Sequence, residues 1–433
     1  MTDSDYIDSY YRDTLANQDL FLSPDGDCEV EVCVVGGGLA GLTAARELVQ
    51  LGKSVALLEA KRIGWGASGR NGGFVSDGYA EGILALEKRL GFGHAKALFD
   101  LSCMGTDYVR RAIRDLNPPG VPVQAGWLRV LRHEDEEDLR HRTERMNEAY
   151  GAAYTFWPKE KVRHRLRSER YFQGMNDTRA FHIQPLNYAR ALAHDVVAKG
   201  GQVFEAAEAR SLARDGKGWS VVLTKGQKIR CRAVLLCGSA YMKALYPKLE
   251  RAVLPVATYV AVSEPMREAL AAAIQYSGCI SDARRAGDYY RLVDGGDRLL
   301  WGGRMTTRRS DPARLASMLK RDIGTVFPQL GDFKLVRAWS GLMGYCIHKM
   351  PILGELEPGL WAATATGGHG LNTTATIGVL AAEGIVGRGD RHRLFQPFGA
   401  QWGGGPIGRT GAQLTYWKLQ IQDWWEESKG RGS

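Results

Sequence analysis

Two glycine clusters and one carboxylate carry the chemistry that this sequence offers. Gly36, Gly38 and Gly41 are spaced G-x-G-x-x-G between an apolar run at 31–35 and a stretch of helical spacing at 39–51. In such a set the first glycine makes the tight turn, the second lets backbone approach a diphosphate, and the third lets helix pack on strand. The diphosphate then meets the free N–H groups and positive end of the helix. A second apolar run, 54–58, ends at Glu59, 18 residues after Gly41, where a carboxylate can take both ribose hydroxyls. Strand, helix and acid are all in place, so the reading is a nucleotide-binding β-α-β unit.

Glu59 argues against a 2′-phosphate on that ribose, because two anions repel. NAD and FAD remain. An NAD domain would run into another helical crossover here, but this chain continues WGASGRNGG at 65–73, with four glycines in nine residues. Such a loop can lay its backbone against a long, flat, phosphate-bearing ligand. Ser68 can bond a phosphate, and Arg70 and Asn71 can reach a phosphate or a ring. Far along the chain, Gly367, Gly368, His369 and Gly370 open another helix. Its N-terminus would favour negative charge developing on a flavin during reduction. One fingerprint and two separated glycine clusters suit FAD, which is long enough to touch all three.

The elements that must hold these residues are dispersed. Strand signals at 126–132, 202–205 and 233–237 alternate with helical segments at 134–150 and 186–199. Further strands at 258–265, 289–293 and 298–303, the last two joined by Asp294-Gly295-Gly296-Asp297, suggest a second sheet, followed by a helix at 312–326. The fully apolar run 233–237 should re-enter a buried sheet. The order expected is an irregular arm at 1–27, nucleotide-domain parts at 28–117, 183–255 and 350–393, substrate-domain parts at 118–182 and 256–349, and a tail at 394–433.

Composition narrows the class. The chain has 433 residues, 44% of them hydrophobic, and no apolar run long enough to span a bilayer. The N-terminus has neither a basic n-region nor an apolar h-region, and the seven cysteines include no C-x-x-C. A cytoplasmic protein without a metal site is expected. The net charge of +9 raises nucleic acid as a partner. Its densest basic run, 159–170, reads instead as a solvated helix, no nucleic-acid module accompanies it, and none is expected to bind. In the tail, Trp417, Ile421, Trp424 and Trp425 share one helix face. That face should pack on the body or on another subunit, with a membrane surface as the alternative, so the chain is a monomer or a homodimer.

With VCVVGGG (32–38), LEAKRIGWGASGRNGG (58–73), HIQPLNYA (182–189), AWSGLMGYCIHKMPILG (338–354) and GGHG (367–370) in view, the sequence resembles the D-amino-acid-oxidase-like superfamily of FAD-dependent amine and amino-acid oxidoreductases. Within it, the chain is similar to the γ-glutamylputrescine oxidase group. The resemblance implies an α/β fold: a Rossmann-like FAD domain with a glutathione-reductase-type βαβ unit, and an interleaved mixed-sheet substrate domain. It implies non-covalent FAD held by Gly36, Gly38, Leu39, Ala40 and Gly41, by Glu59, Ala60 and Lys61, and by Gly66, Ala67, Ser68, Arg70, Asn71, Gly72 and Gly73. Ala209, Gly238, Gly367, Gly368, His369, Gly370 and Leu371 complete that set.

Amino-acid oxidases of the superfamily carry W-x-G-x-R where this chain has WSGLM, 339–343. Met343 stands at the position of the arginine that clamps the substrate carboxylate, which favours an amine. The cysteine that attaches flavin in sarcosine-oxidase-type relatives also aligns with Met343, not Cys346. Tyr290 and His369 are the candidate catalytic residues, and Met343, Trp339, Arg304, His182 and His348 the candidate pocket. The activity implied is hydride transfer from a primary or secondary amine to flavin N5, giving an imine that hydrolyses to an aldehyde, with oxygen or another acceptor taking the electrons. Two alternatives stand. One is an amino-acid oxidase or dehydrogenase in which Arg304 or Arg291 replaces the clamp. The other is a flavoprotein acting on a tRNA base or a partner protein.

Overall fold

A computed structural model describes residues 5–284, 287–306 and 312–429. Its first sheet is built on parallel strands. Cys28–Val35 lies between Val55–Leu58 and Lys228–Leu236, with Val34 opposite Leu57 and Leu235. Gln202–Phe204 adds in parallel beyond Val55–Leu58, and Leu360–Thr364 beyond Lys228–Leu236. Ile352–Glu357 closes one edge antiparallel, and the hairpin of Ala209–Asp215 and Gly218–Leu223 extends from Lys228–Leu236. Val55–Leu58 is buried at every position, as a strand covered on both faces must be. Helices Leu39–Gln50 and Gly370–Ile385 pack on each other over this sheet, in one core with its strands. A Cβ on Gly378 would lie 2.7 Å from Thr43 Cβ, so the small residues of the last helix let the two backbones approach.

This strand order gathers the dispersed motifs. The fingerprint follows Cys28–Val35, Glu59 follows Val55–Leu58, Gly238 follows Lys228–Leu236, and the second glycine cluster follows Leu360–Thr364. All four therefore leave the carboxyl edge of the same parallel sheet, where open α/β sheets bind their ligands.

The second sheet runs in the order Leu335–Tyr345, Leu254–Ser263, Arg298–Thr306, Tyr289–Val293, Cys279–Asp282, Gln124–Val130, Gly174–His182, Phe74–Val75. It is mixed: Cys279–Asp282 pairs in parallel with Gln124–Val130, while its neighbours are antiparallel. Phe74–Val75 joins this sheet directly after the 65–73 loop, inside the stretch expected to belong wholly to the nucleotide unit. One face packs against the helix Pro312–Val326 through Tyr290, Trp301, Leu319, Ile323 and Phe327. The helix Phe92–Leu116, as long as the C-terminal one among the described residues, was not among the elements expected from the sequence.

The N-terminal arm is irregular apart from one short helix, Tyr10–Asp13, yet it is anchored to the body. Its Tyr6 and Tyr11 are buried. Tyr6 Oη donates to Ile63 O (2.7 Å), Tyr11 Oη donates to Asn71 O (2.7 Å), and Trp65 Nε1 donates to Asp5 O (2.9 Å). The arm is a strap laid along the first glycine-rich loop.

Side chains alternate across a strand, and Tyr290 shows the consequence. Its ring stacks on Trp301 at 4.3 Å, and its hydroxyl meets Tyr171 Oη at 3.0 Å, all on the helix-covered face. Tyr290→Phe should lower stability by about 1 kcal/mol, the worth of one buried hydrogen bond. Urea unfolding checks this, and flavin content and turnover should match the parent.

Candidate active site

The fingerprint is shaped by close backbone contacts. Gly36 has φ +117°, and a Cβ on Gly41 would lie 2.0 Å from Gly36 O. Gly38 is the N-cap of Leu39–Gln50 and offers no side chain to it, and no acidic residue lies in the first turn. Ser68 Oγ accepts from Leu39 N (3.0 Å), so the 65–73 loop docks onto this helix start. Glu59 accepts from Gly37 N and Lys61 N, both at 2.8 Å. Burial pushes its carboxyl up to about 7, against the pull of the backbone N–H groups of Lys61, Gly37 and Ala60. Ala207 N donates to Glu59 O and Ala206 N to Lys61 O, which sets Ala209 two residues beyond the segment bracketing the acid.

The loop itself answers its glycine content differently from the sequence expectation. A Cβ on Gly66 would meet the Tyr241 ring at 3.1 Å, on Gly69 the Gly64 carbonyl at 2.5 Å, on Gly72 the Tyr289 ring at 2.7 Å, and on Gly73 the Ile183 carbonyl at 2.2 Å. Gly69, Gly72 and Gly73 have no room for a side chain, and Gly66 has little. Asn71 braces the loop internally, its Nδ2 donating to Ala67 O and Ser68 O and its Oδ1 accepting from Gly73 N. Arg70 is buried, with Nε donating to Trp65 O (2.6 Å) and the guanidinium 4.0 Å from the Trp65 ring centre. Its Nη2 is buried without a hydrogen-bond partner, and burial depresses its pKa.

The second glycine cluster is seated on the strand Leu335–Tyr345. Gly367 N donates to Gly344 O (2.9 Å), and a Cβ on Gly368 would lie 2.5 Å from Tyr345 Oη and 3.8 Å from Met343 Sδ. His369 is the N-cap of Gly370–Ile385 and makes no side-chain cap there; the first turn again holds no acid. Its Nε2 lies 2.9 Å from Ser76 Oγ and 3.1 Å from Ser76 O, so this nitrogen carries the proton donated to the carbonyl. Burial, with the charge of Arg129, lowers its pKa to about 4, so the ring is neutral at pH 7. Leu371 is buried behind it.

An aromatic wall links the two clusters. Tyr289, against Gly72, meets Phe74 at 5.7 Å; Phe74 meets Trp127 at 5.7 Å; Trp127 meets the His369 ring at 5.9 Å. Tyr289 Oη is 3.2 Å from Thr258 Oγ1, and Arg129 lies over Trp127 at 4.0 Å. Tyr289, Phe74, Trp127 and Arg129 were not singled out in the sequence. The alternation in YYRLV puts Tyr289 and Arg291 on one face and Tyr290 on the other, without marking which face the helix covers.

Of the catalytic and pocket candidates, Met343 and His369 lie at the second glycine cluster, and Trp339, on the strand that carries Met343, is buried against Tyr11. Trp339 Nε1 donates to Arg70 O (3.0 Å). Four others lie elsewhere. Tyr290 faces the helix-covered core. Arg304 is engaged by Asp322 through two bonds of 2.7 and 2.8 Å. His348 accepts from Met350 N and donates to Gly399 O, beside Phe398 in the C-terminal segment. His182 is buried beneath the loop, its Nδ1 accepting from Arg291 and its Nε2 donating to Ser277 O. Arg291 cannot replace a carboxylate clamp in this arrangement, because its Nε donates to Gly72 O and its Nη2 to Ile183 O and Tyr11 Oη. Cys346 is a buried thiol packed in the core of the first sheet, and burial raises its pKa to about 12.

Residues 31–384 match the family described as DAO, FAD dependent oxidoreductase. The chain belongs to this family. FAD is its cofactor, and the residues present fit it: two helix starts whose N-cap residues offer them no side-chain bond, Glu59 beside one of them, and a buried guanidinium nitrogen without a partner. The chain is 30% identical over 404 residues to the probable oxidoreductase OrdL of Haemophilus influenzae, covering 90% of this chain and 91% of that one. It is 30% identical over 401 residues to gamma-glutamylputrescine oxidoreductase of Escherichia coli, covering 90% and 92%. Among solved structures, glycine oxidase from Geobacillus kaustophilus matches with a TM-score of 0.70 at 21% identity, covering 86% of this chain and 99% of that one. L-proline dehydrogenase from P. horikoshii matches with a TM-score of 0.71 at 16% identity and the same coverage. These likenesses give the DAO-type fold of a parallel FAD-binding sheet beside a mixed substrate-domain sheet. Among the described residues, no helix is long and apolar enough to cross a membrane, and no His, Cys, Asp and Glu group is placed to hold a metal ion.

Gly41→Ala should yield protein without bound flavin, because its Cβ would fall inside the contact radius of Gly36 O; visible absorbance of the purified chain checks this. His182 supplies a pH dependence. Burial, reinforced by Arg291, lowers its pKa to about 3, against an ordinary value of 6.5. Between these pH values the unfolded chain binds a proton that the native state does not, so this site loses stability as pH falls. His182→Gln should flatten the acid limb of a thermal-stability profile below about pH 6.5.

Proposed function

We propose that this chain oxidises a primary or secondary amine at its CH–NH bond, with a substrate of the γ-glutamylputrescine type. The observation that carries the reading is Met343. An apolar thioether stands 3.8 Å from where a Gly368 side chain would begin, at the position where amino-acid oxidases of the family place their clamping arginine. Arg304 and Arg291, the two candidates to replace that clamp, are committed to Asp322 and to the loop backbone. The name of the Escherichia coli relative points to the same substrate class.

The fingerprint glycines, Glu59, Ser68, Arg70 and the start of Gly370–Ile385 would hold FAD. Bound FAD supplies the two-electron redox chemistry of the family. The protein's part is to bind, orient and exclude water. Tyr289, Phe74 and Trp127 would form an apolar wall suited to the alkyl part of an amine. That apolar wall favours the neutral amine over the ammonium, which the loss of a C–H hydride from the carbon next to nitrogen requires. His369, neutral and fixed by Ser76, brings no competing positive charge. The imine product would hydrolyse in water to an aldehyde, and oxygen or another acceptor would return the cofactor to its oxidised state.

A second reading, oxidation of an amino acid, draws on Arg70, whose buried Nη2 could meet a carboxylate. Anaerobic mixing of the flavin-loaded chain with γ-glutamylputrescine, free polyamines, glycine, sarcosine and D- and L-amino acids separates the two. Loss of visible flavin absorbance with the amines alone is the expected outcome; loss with amino acids alone overturns the proposal. Met343→Arg should lower kcat/KM for the amine by about tenfold, equivalent to ~1.4 kcal/mol of transition-state stabilisation.

A further inference from the structure

We propose that the C-terminal helix is a self-association seam, pairing antiparallel with the same helix of a second copy of this chain. Gly405–Lys429 lies against the strands Leu254–Ser263 and Arg298–Thr306. It is mounted with polar groups inward. Gln413 and Asp423 are buried, and Glu427 Oε1 lies 3.7 Å from Arg284 Nε. Its large apolar residues face outward: Ile407 is 79% exposed, Leu414 56%, Ile421 66% and Trp424 70%, with Trp417 and Trp425 at 43% and 55%.

The spacing of these residues is that of a seam between helices. Positions 407, 414 and 421 repeat every seven residues, and so do 417 and 424, offset by three. This is the a/d pattern of a coiled-coil contact. The area is also that of an interface. With aromatic side chains contributing about 150–250 Å² when fully exposed, the six residues present on the order of 800 Å². That exceeds the largest apolar patch of an ordinary monomer and equals one partner's share of a standard interface.

The pattern is complementary to itself. A two-fold axis through Leu419 sets Leu414 against the partner's Trp424, and Trp417 against the partner's Ile421, which is the isologous contact that closed dimers use. A lipid surface suits the helix less well. Interfacial helices concentrate Lys and Arg on the polar face, whereas 405–429 carries three basic and three acidic residues, and Asp423 and Glu427 occupy the inward side.

Light scattering on the eluting full-length flavin-loaded protein, over a range of concentrations, tests the proposal. The expected mass is twice that of one 47.7 kDa chain. Ile421→Glu combined with Trp424→Glu should elute as one chain with its flavin spectrum and turnover retained. A single-chain mass for the parent at every concentration overturns the proposal, as does a double variant that still pairs. Co-sedimentation of a single-chain parent with phosphatidylglycerol vesicles assigns the face to lipid instead. Leu414→Cys with Trp424→Cys should give a covalent dimer on oxidation; equal cross-linking by Leu414→Cys alone overturns the antiparallel arrangement.

Discussion

The buried guanidinium of Arg291 is the point at which the separate parts of this chain are fixed to one another. From a strand of the second sheet it donates to Gly72 O in the glycine-rich loop, to Ile183 O after the strand Gly174–His182, to Tyr11 Oη in the arm, and to His182 Nδ1. A charge this deeply placed is tolerated because its donors are met by acceptors. Four segments distant in sequence therefore share one register. The loop in turn sets Ser68 on the fingerprint helix and Arg70 beside the strand that carries Met343. The geometry of the flavin cradle and that of the substrate face are coupled through this residue.

The glycines of the 65–73 loop illustrate a second constraint. Their abundance reflects the protein's own crowding: ring, carbonyl and loop backbone press on them from the sheet and from the neighbouring helix. A loop packed this way is a rigid part. Its few free groups, Arg70 Nη2 among them, are held in place before any ligand arrives, which is how a fixed scaffold lowers the cost of orienting a reactant.

The sequence made the nucleotide half legible because each of its signals is local. Strand, glycine turn, helix and acid lie within 31–59, and the second glycine cluster opens its own helix. The return of dispersed segments to one sheet edge was legible from the apolar run at 233–237 and the glycine turn at 367–370. The substrate face was not, because it depends on which side of a strand a residue occupies. A slip of one position exchanges Tyr290 for Tyr289, and nothing local in YYRLV distinguishes them. Arg304 and Arg291 read equally well as clamps until their acceptors, Asp322 and the Gly72 carbonyl, are located in space. The arm at 1–27 was unreadable for the same reason, since its tyrosines find their partners tens to hundreds of residues away.

That last feature bears on how the molecule is assembled during synthesis. Tyr11 precedes its partner Arg291 by 280 residues, and Tyr10 precedes Asp294, which accepts its hydroxyl, by 284. The segment that leaves the ribosome early therefore cannot take its final place until more than half of the chain has followed. Closing so long a loop is slow relative to forming local helices and hairpins. The strap is consequently a late-seating element, and the two sheets must find each other before it can bind across them.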